Sequence, residues 1–382
     1  MTGTDAEGIQ YFPSADIQER RLLLRSVIER DYLGPDMLDQ RIGRAEFSPK
    51  DWSRLAGEVG VGLVLLPEDL NGLGLGYEDF AATVEELGRA LLAAPVLSNA
   101  VLVPGILMPL LEDGGADTAS LFSEVAHGVT SAAVGFMDRQ ARFDSAQVGV
   151  RATAGEGGWS LDGTHHLVLD GEGADQFIVT ALDEGELGIY LVSADAASVH
   201  TVDSMDPSRR LSTVTFRAAR AERLATGAAA ERAVTHAVRL LRLGTAAECL
   251  GGAQAALDEA VEYAKIRQQF GRPIGAFQAM KHRLADALLA IQSARSVLSY
   301  ACWAWDDDSG ESDRAVLAAK IAASDAYVAS AAHAVQVHGA MGTTLEMPCQ
   351  VHFRRARFHT LFLGSSADDK LALASMLGFG AS

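Results

Sequence analysis

Residues 229–266 constrain the chain most: alanine and leucine dominate the run and no proline interrupts it. Both residue types are strong helix formers, so the stretch can build one helix of roughly 55 Å at about 1.5 Å per residue. A helix of that length needs neighbours over its apolar sides, which makes the region from Gly227 onward a bundle. A second long helix follows from the stripe Phe277, Met280, Leu284, Leu288, Ile291 and Leu298, ended by DDDSG at 306–310. A third starts near Ser312 and stops at Gly339, because glycine tolerates the positive φ of a helix end.

The preceding regions carry other periods. From Ser14 to about Ala126 apolar residues recur at three- and four-residue intervals, most clearly at Phe80, Val84, Leu87 and Leu91. Ser48 is placed to cap a helix that begins at Pro49, and NGLGLG (71–76) reads as a loop. Between about Val129 and Leu224 the pattern shortens to runs such as QVGVRAT, DQFIVTAL, GIYLVSA and STVTFRA between Gly/Asp turns, the mark of a β module.

Composition narrows the partners. A net charge of −18 disfavours duplex nucleic acid or an anionic membrane as the main partner. Cys249, Cys302 and Cys349 lack metal-ligand or disulfide spacing and are expected as buried thiols. The acidic, polar start MTGTDAEGIQYF is unlike a signal peptide, which implies a cytoplasmic address. No apolar segment is read as long enough to cross a bilayer, VGLVLLP (61–67) being cut short by proline.

The most informative segment is YAKIRQQFGRPIGAFQAMKHRLADA (263–287), the end of one helix, a corner at Gly271 and Pro273, and the start of another. Arg267 stands there beside Gln269 and Gln278, where a cationic fork can meet a phosphate. On spacing alone the plainer reading, an arginine paired with a carboxylate, leads.

The segment resembles the C-terminal domain of the acyl-CoA dehydrogenase family. EELGRALLAAPVLSNA (85–100), SMDPSRRLSTVTF (204–216), AAECLGGAQAALDEAVEYAKIR (246–267) and QVHGAMGTTLEMP (336–348) carry the resemblance over almost the whole chain. It implies an α+β fold with an N-terminal helical domain (1–126), a middle β-barrel domain (127–226) and a C-terminal four-helix bundle (227–382). It also implies FAD, with Arg267, Gln269, Phe270 and Gln278 matching positions that meet the flavin nucleotide of a neighbouring subunit. Gln336 and Gly339 match the start of the family's QxxGG signature, whose second glycine is Ala340 here.

The same resemblance exposes a deficit. The family's base is a Glu in a segment like RDAxxxxIYEG, and RRARFHTLFLG (354–364) places Leu363 there. The alternative seat on the long helix falls at Leu241. A leucine offers no lone pair to an acyl-CoA α-proton, so no catalytic residue is assigned. Glu248 is the nearest carboxylate on that helix, and a buried ion pair with an arginine is its leading reading. SAAVGFMDRQARFD (131–144) and GTHHLVLDG (163–171) also depart from the family's flavin-facing pattern.

These features resemble the base-lacking subunit of bacterial heterotetrameric acyl-CoA dehydrogenases. That implies a partner dehydrogenase subunit, an acyl-CoA substrate of fatty-acid or sterol side-chain β-oxidation, and electron-transfer flavoprotein or a similar acceptor. An active homotetramer using Glu248, and a flavin-free acyl-CoA-binding protein, stand as alternatives. His165 and His166 are read as surface or turn histidines, and Arg354, Arg355 and Arg357 as partners of acidic groups at a subunit interface.

Overall fold

The computed structural model describes residues 14–34, 37–42, 47–111, 116–155, 158–345 and 347–379. Its N-terminal helices are α1 (Ala15–Asp31), α2 (Met37–Arg41), α3 (Pro49–Ser53), α4 (Tyr77–Ala90), α5 (Val103–Leu111) and α6 (Ala116–Ala126). The strands are β1 (Ala132–Gly135), β2 (Val150–Gly155), β3 (Gly158–Leu169), β4 (Gln176–Asp183), β5 (Glu186–Ser193), β6 (Ala197–Val202) and β7 (Leu211–Thr226). Then follow α7 (Gly227–Ile266), the short β8 (Gln268–Gln269) and β9 (Arg272–Pro273), α8 (Gln278–Asp306), α9 (Ser312–His338), α10 (Pro348–His359) and α11 (Ser366–Met376).

Ser48 caps α3 by accepting the Asp51 amide at 3.0 Å, and Phe80, Val84, Leu87 and Leu91 are all buried. The strands close on themselves. β4 pairs with β1 and β2 along one edge and β5 along the other, while β7 pairs with β3 on one side and with β6 and β5 on the other. The interior is filled by alternating residues such as Val150, Leu161, Phe177, Val179, Tyr190 and Phe216. His165 belongs to this interior. It is buried, its Nε2 lies 2.8 Å from the Thr180 carbonyl, and desolvation pulls its pKa down to about 4. The expectation of a surface histidine fails there because the pleat turns His165 inward, while His166 stays half-exposed.

α7 runs 40 residues and packs against α4, α5, α8 and α9. Two glycines bring α4 and α7 together: a Cβ at Gly88 would strike the Glu248 backbone, and one at Gly251 the Glu85 carbonyl. α8 departs in part from its expected stripe, since Ile291 and Leu298 are buried but Leu288 is 44% exposed. α9 with its 3-10 extension, Ser312–Thr343, is long and apolar enough to cross a bilayer by length and composition, which corrects the earlier expectation. Most of its apolar window is buried within the protein, as befits a bundle's core helix. Cys249, Cys302 and Cys349 are buried and unpaired.

Candidate functional site

The corner after α7 is built by local backbone demands. α7 ends when Arg267 turns extended, and Phe270 and Gly271 take left-handed φ of 54° and 77° between β8 and β9. Tight hairpin turns of this kind favour glycine or asparagine, so a phenylalanine there is strained. Its ring is 90% exposed, touching Phe277 edge-on at 6.1 Å, and Arg272 lies 4.2 Å over the Phe277 ring. Gln278 opens α8 directly beyond.

α9 ends against the same corner. The Tyr263 and His338 rings lie 4.2 Å apart, and Tyr263, Ile274, Met280 and Val337 share one apolar cluster. Arg267, Gln269, Phe270, Gln278, Gln336 and Gly339 are therefore gathered at one end of the bundle, all exposed. Among the described residues Arg267 has no ion pair, contrary to the plainer reading from spacing. Gly339 has φ 61°, and a Cβ built there meets nothing within 4 Å. A free guanidinium, two amide side chains and open backbone suit a phosphate-bearing ligand.

The base seats differ sharply from this open corner. Leu241 is fully buried and Leu363 is 8% exposed, both within the main apolar core. Leu363 and Gly364 have φ of 65° and 95°, so the segment keeps a left-handed kink without a carboxylate to present. Behind it Phe358 and Phe362 stack at 4.9 Å. A cleft of about 300 Å³ opens at Leu363, walled by the 141–143 turn, the first half of α7 and α11.

Glu248 does not line that cleft. Its Oε1 accepts from Arg355 Nη1 at 2.6 Å and pairs with Arg209, while His359 Nε2 lies 3.3 Å from Oε2. Arg355 also donates through Nε to Asp206 and through Nη2 to Ser208, each at 2.5 Å. Burial, reinforced by Arg209 and Arg355, drives His359 well below its ordinary pKa and keeps it neutral. Arg209 falls to about 9, chiefly through burial. Arg355 thus pairs inside its own chain, which corrects the expected interface role, and Glu248 has the ion-pair role. Sequence reasoning missed Asp206 and Ser208 as partners of Arg355, and Arg209 and His359 as the groups facing Glu248. The available signal was the RDAxxxxIYEG alignment, which puts Arg355 at the motif's Asp and so demands carboxylates elsewhere.

In the segments that depart from the family's pattern, Phe136 and Met137 are buried after β1, and Asp138 Oδ1 accepts the Gln140 and Arg142 amides to close the next turn. Leu167 has φ 53° at a register shift in β3 and lines a shallow hollow with Arg139, Leu361 and Ser365. Among those lining residues none is aromatic.

A family model described as "Acyl-CoA dehydrogenase, C-terminal domain" matches residues 230–375. The chain is 33% identical over 305 residues to the acyl-CoA dehydrogenase IpdE2 of Mycobacterium tuberculosis, covering 80% of this chain and 79% of that protein. In structure it is similar to a chain of the ChsE4-ChsE5 complex from Mycobacterium tuberculosis, with TM-score 0.84 and 25% identity over 98% of this chain and 100% of the other. It is likewise similar to a variant of the Tcur3481-Tcur3483 steroid ACAD, with TM-score 0.81 and 27% identity over 95% of this chain and 98% of the other. The chain belongs to the acyl-CoA dehydrogenase family. Its class is that of an acyl-CoA dehydrogenase-type oxidoreductase, with the family's arrangement of helical, β and bundle regions.

Proposed function

We propose that this chain is the base-lacking subunit of a heterotetrameric acyl-CoA dehydrogenase. It supplies structure and the nucleotide end of an FAD site to a related subunit that carries the catalytic Glu. One observation carries the reading: both base seats, Leu241 and Leu363, are apolar and packed, while Arg267 stands exposed at the nucleotide corner without an ion pair among the described residues.

When bound, FAD, the family's cofactor, would supply the acceptor for the hydride that leaves the acyl Cβ. Arg267 would offset the negative charge of its pyrophosphate, and Gln269 and Gln278 would donate hydrogen bonds to it. Phe270 would present an apolar face, and Gly339 would let backbone come close. The α-proton goes to the partner subunit, because a leucine side chain cannot accept it. The relatives support this assembly and a bulky acyl-CoA substrate: one structural neighbour is a ChsE4-ChsE5 complex and another a Tcur3481-Tcur3483 steroid ACAD.

The test is to purify the chain alone and together with candidate partner dehydrogenases, then measure bound flavin and acyl-CoA-dependent dye reduction. The expected result is flavin and turnover only in the complex. Brisk turnover by the isolated chain would overturn the reading, and a complex with turnover but no dependence on Arg267 would overturn the shared cofactor site.

A further inference from the structure

A polar groove of about 450 Å³ runs between α1, α4, α7 and α8, and it shares no residue with the cleft at Leu363 or the Glu248 cluster. Arg295, on its α8 wall, stands about five turns beyond Gln278, roughly 25 Å along the helix, so the nucleotide corner is elsewhere.

The charges of the groove do not balance. Arg21 and Arg25 enter from α1, Arg89 from α4 and Arg295 from α8, against the carboxylates of Glu85, Glu86 and Asp258. Those carboxylates are already engaged. Glu86 accepts from Arg25 Nε and Nη2, each at 2.8 Å, and from Arg21 Nε at 3.1 Å. Glu85 Oε1 lies 2.8 Å from Arg21 Nη2 and accepts from Arg295 Nη2 at 2.7 Å. Asp258 is paired with Arg89 at 2.7 Å and accepts the Gln254 amide at 2.9 Å.

Arg295 keeps a donor in reserve, because its Nε is buried with no hydrogen-bond partner among the described residues. A surplus positive charge and an orphaned buried donor cost free energy unless an acceptor meets them. The chain as a whole carries −18, so a hollow with surplus positive charge runs against its general field and is the local work of these arginines. The rest of the lining is polar: Gln18 and Gln292 stand exposed, and Leu22 is the one large apolar side chain among the described residues there.

We propose that this groove binds a compact phosphate-bearing anion, with Arg295 Nε donating to an oxyanion oxygen and the Gln18 and Gln292 amides at the rim. A tetrahedral phosphate accepts from several directions at once, which suits guanidinium groups arriving from three helices. An acyl carboxylate would find only Leu22 for its apolar body. The proposal is independent of which subunit supplies the base, because binding is read without turnover.

The experiment is calorimetric titration of the full chain with pyrophosphate, ADP and citrate at matched ionic strength, in an Arg267→Ala background that silences the nucleotide corner. Saturable pyrophosphate binding is expected, weakened about 10-fold or more by Arg295→Gln and about threefold by Gln292→Glu. ADP binding as tightly as pyrophosphate assigns the groove to a terminal phosphate on a larger molecule, and weaker ADP binding assigns it to the free inorganic anion; either upholds the phosphate class. Absence of saturable pyrophosphate binding, citrate binding as tightly as pyrophosphate, or unchanged binding in both groove variants would overturn the proposal. Should Arg295→Gln fail to fold in a thermal melt, the exposed Gln292→Glu variant decides alone.

Discussion

Arg355 Nη1 donates to Glu248 Oε1 at 2.6 Å while its Nε reaches Asp206 Oδ2 at 2.5 Å, so one buried guanidinium ties α7 to the loop before β7. The carboxylate best placed in sequence to act as a displaced base is thereby consumed by a clamp joining α7, α10 and the loop before β7. Breaking such a pair leaves an uncompensated charge in the interior, which is more costly than the pair is stabilising.

Glu248→Ala should therefore lower stability by about 3–5 kcal/mol, read as a shift in the urea midpoint. In the assembled complex it should leave the pH profile of turnover unchanged. Loss of turnover in a variant with wild-type stability and flavin content would restore Glu248 as a base.

The buried His165 makes stability depend on acid. Its folded pKa of about 4 lies below the unfolded value near 6.5, so between these values the unfolded chain binds more protons. Stability is complete above about 6.5 and falls as pH drops toward 4, by at most about 1.4 kcal/mol per unit for this group. His359, also held neutral by burial, acts in the same direction. Urea denaturation across this window should show a shallower slope for His165→Asn than for the parent. An identical slope would place the acid sensitivity elsewhere.

The helix crossing makes a prediction opposite to helix propensity. Alanine exceeds glycine by about 1 kcal/mol in a helix interior. At Gly251, however, a Cβ would strike the Glu85 carbonyl and the Arg89 amide. Gly251→Ala should destabilise by about 1–3 kcal/mol in denaturant titration; a stabilised variant would show that α4 and α7 separate freely.

Arg267→Ala tests the nucleotide corner. The exposed side chain, without an ion pair among the described residues, contributes little to folding, so the variant should melt like the parent. The purified complex should nonetheless lose flavin, with affinity down about 10-fold or more for one lost charge-assisted contact. Full flavin occupancy in that variant would remove the corner from the cofactor site.

Much of this was legible before the structure. The unbroken run to Ile266, the stop at Gly339 and the cap at Ser48 follow from backbone chemistry that acts within a few residues. β1 and β6 were not read, because Ala132–Gly135 is too short and uniformly apolar to show alternation and β6 is only half apolar, its alternation breaking at His200 and Thr201. Leu288 misled because apolar spacing marks a face but not whether its own chain covers it. The gathered corner of Arg267 and Gly339 came from the family resemblance. The Glu248 cluster did not, since Asp206, Glu248 and Arg355 meet only through tertiary packing.

The central claim is a missing proton acceptor, and α-proton exchange addresses it without needing hydride transfer. Incubating the isolated chain with a saturated acyl-CoA in heavy water and weighing the thioester by mass spectrometry reads the base alone. The account predicts no deuterium above the uncatalysed rate at the α-carbon, with exchange appearing once the partner subunit is added. Rapid α-deuteration by this chain by itself would contradict it.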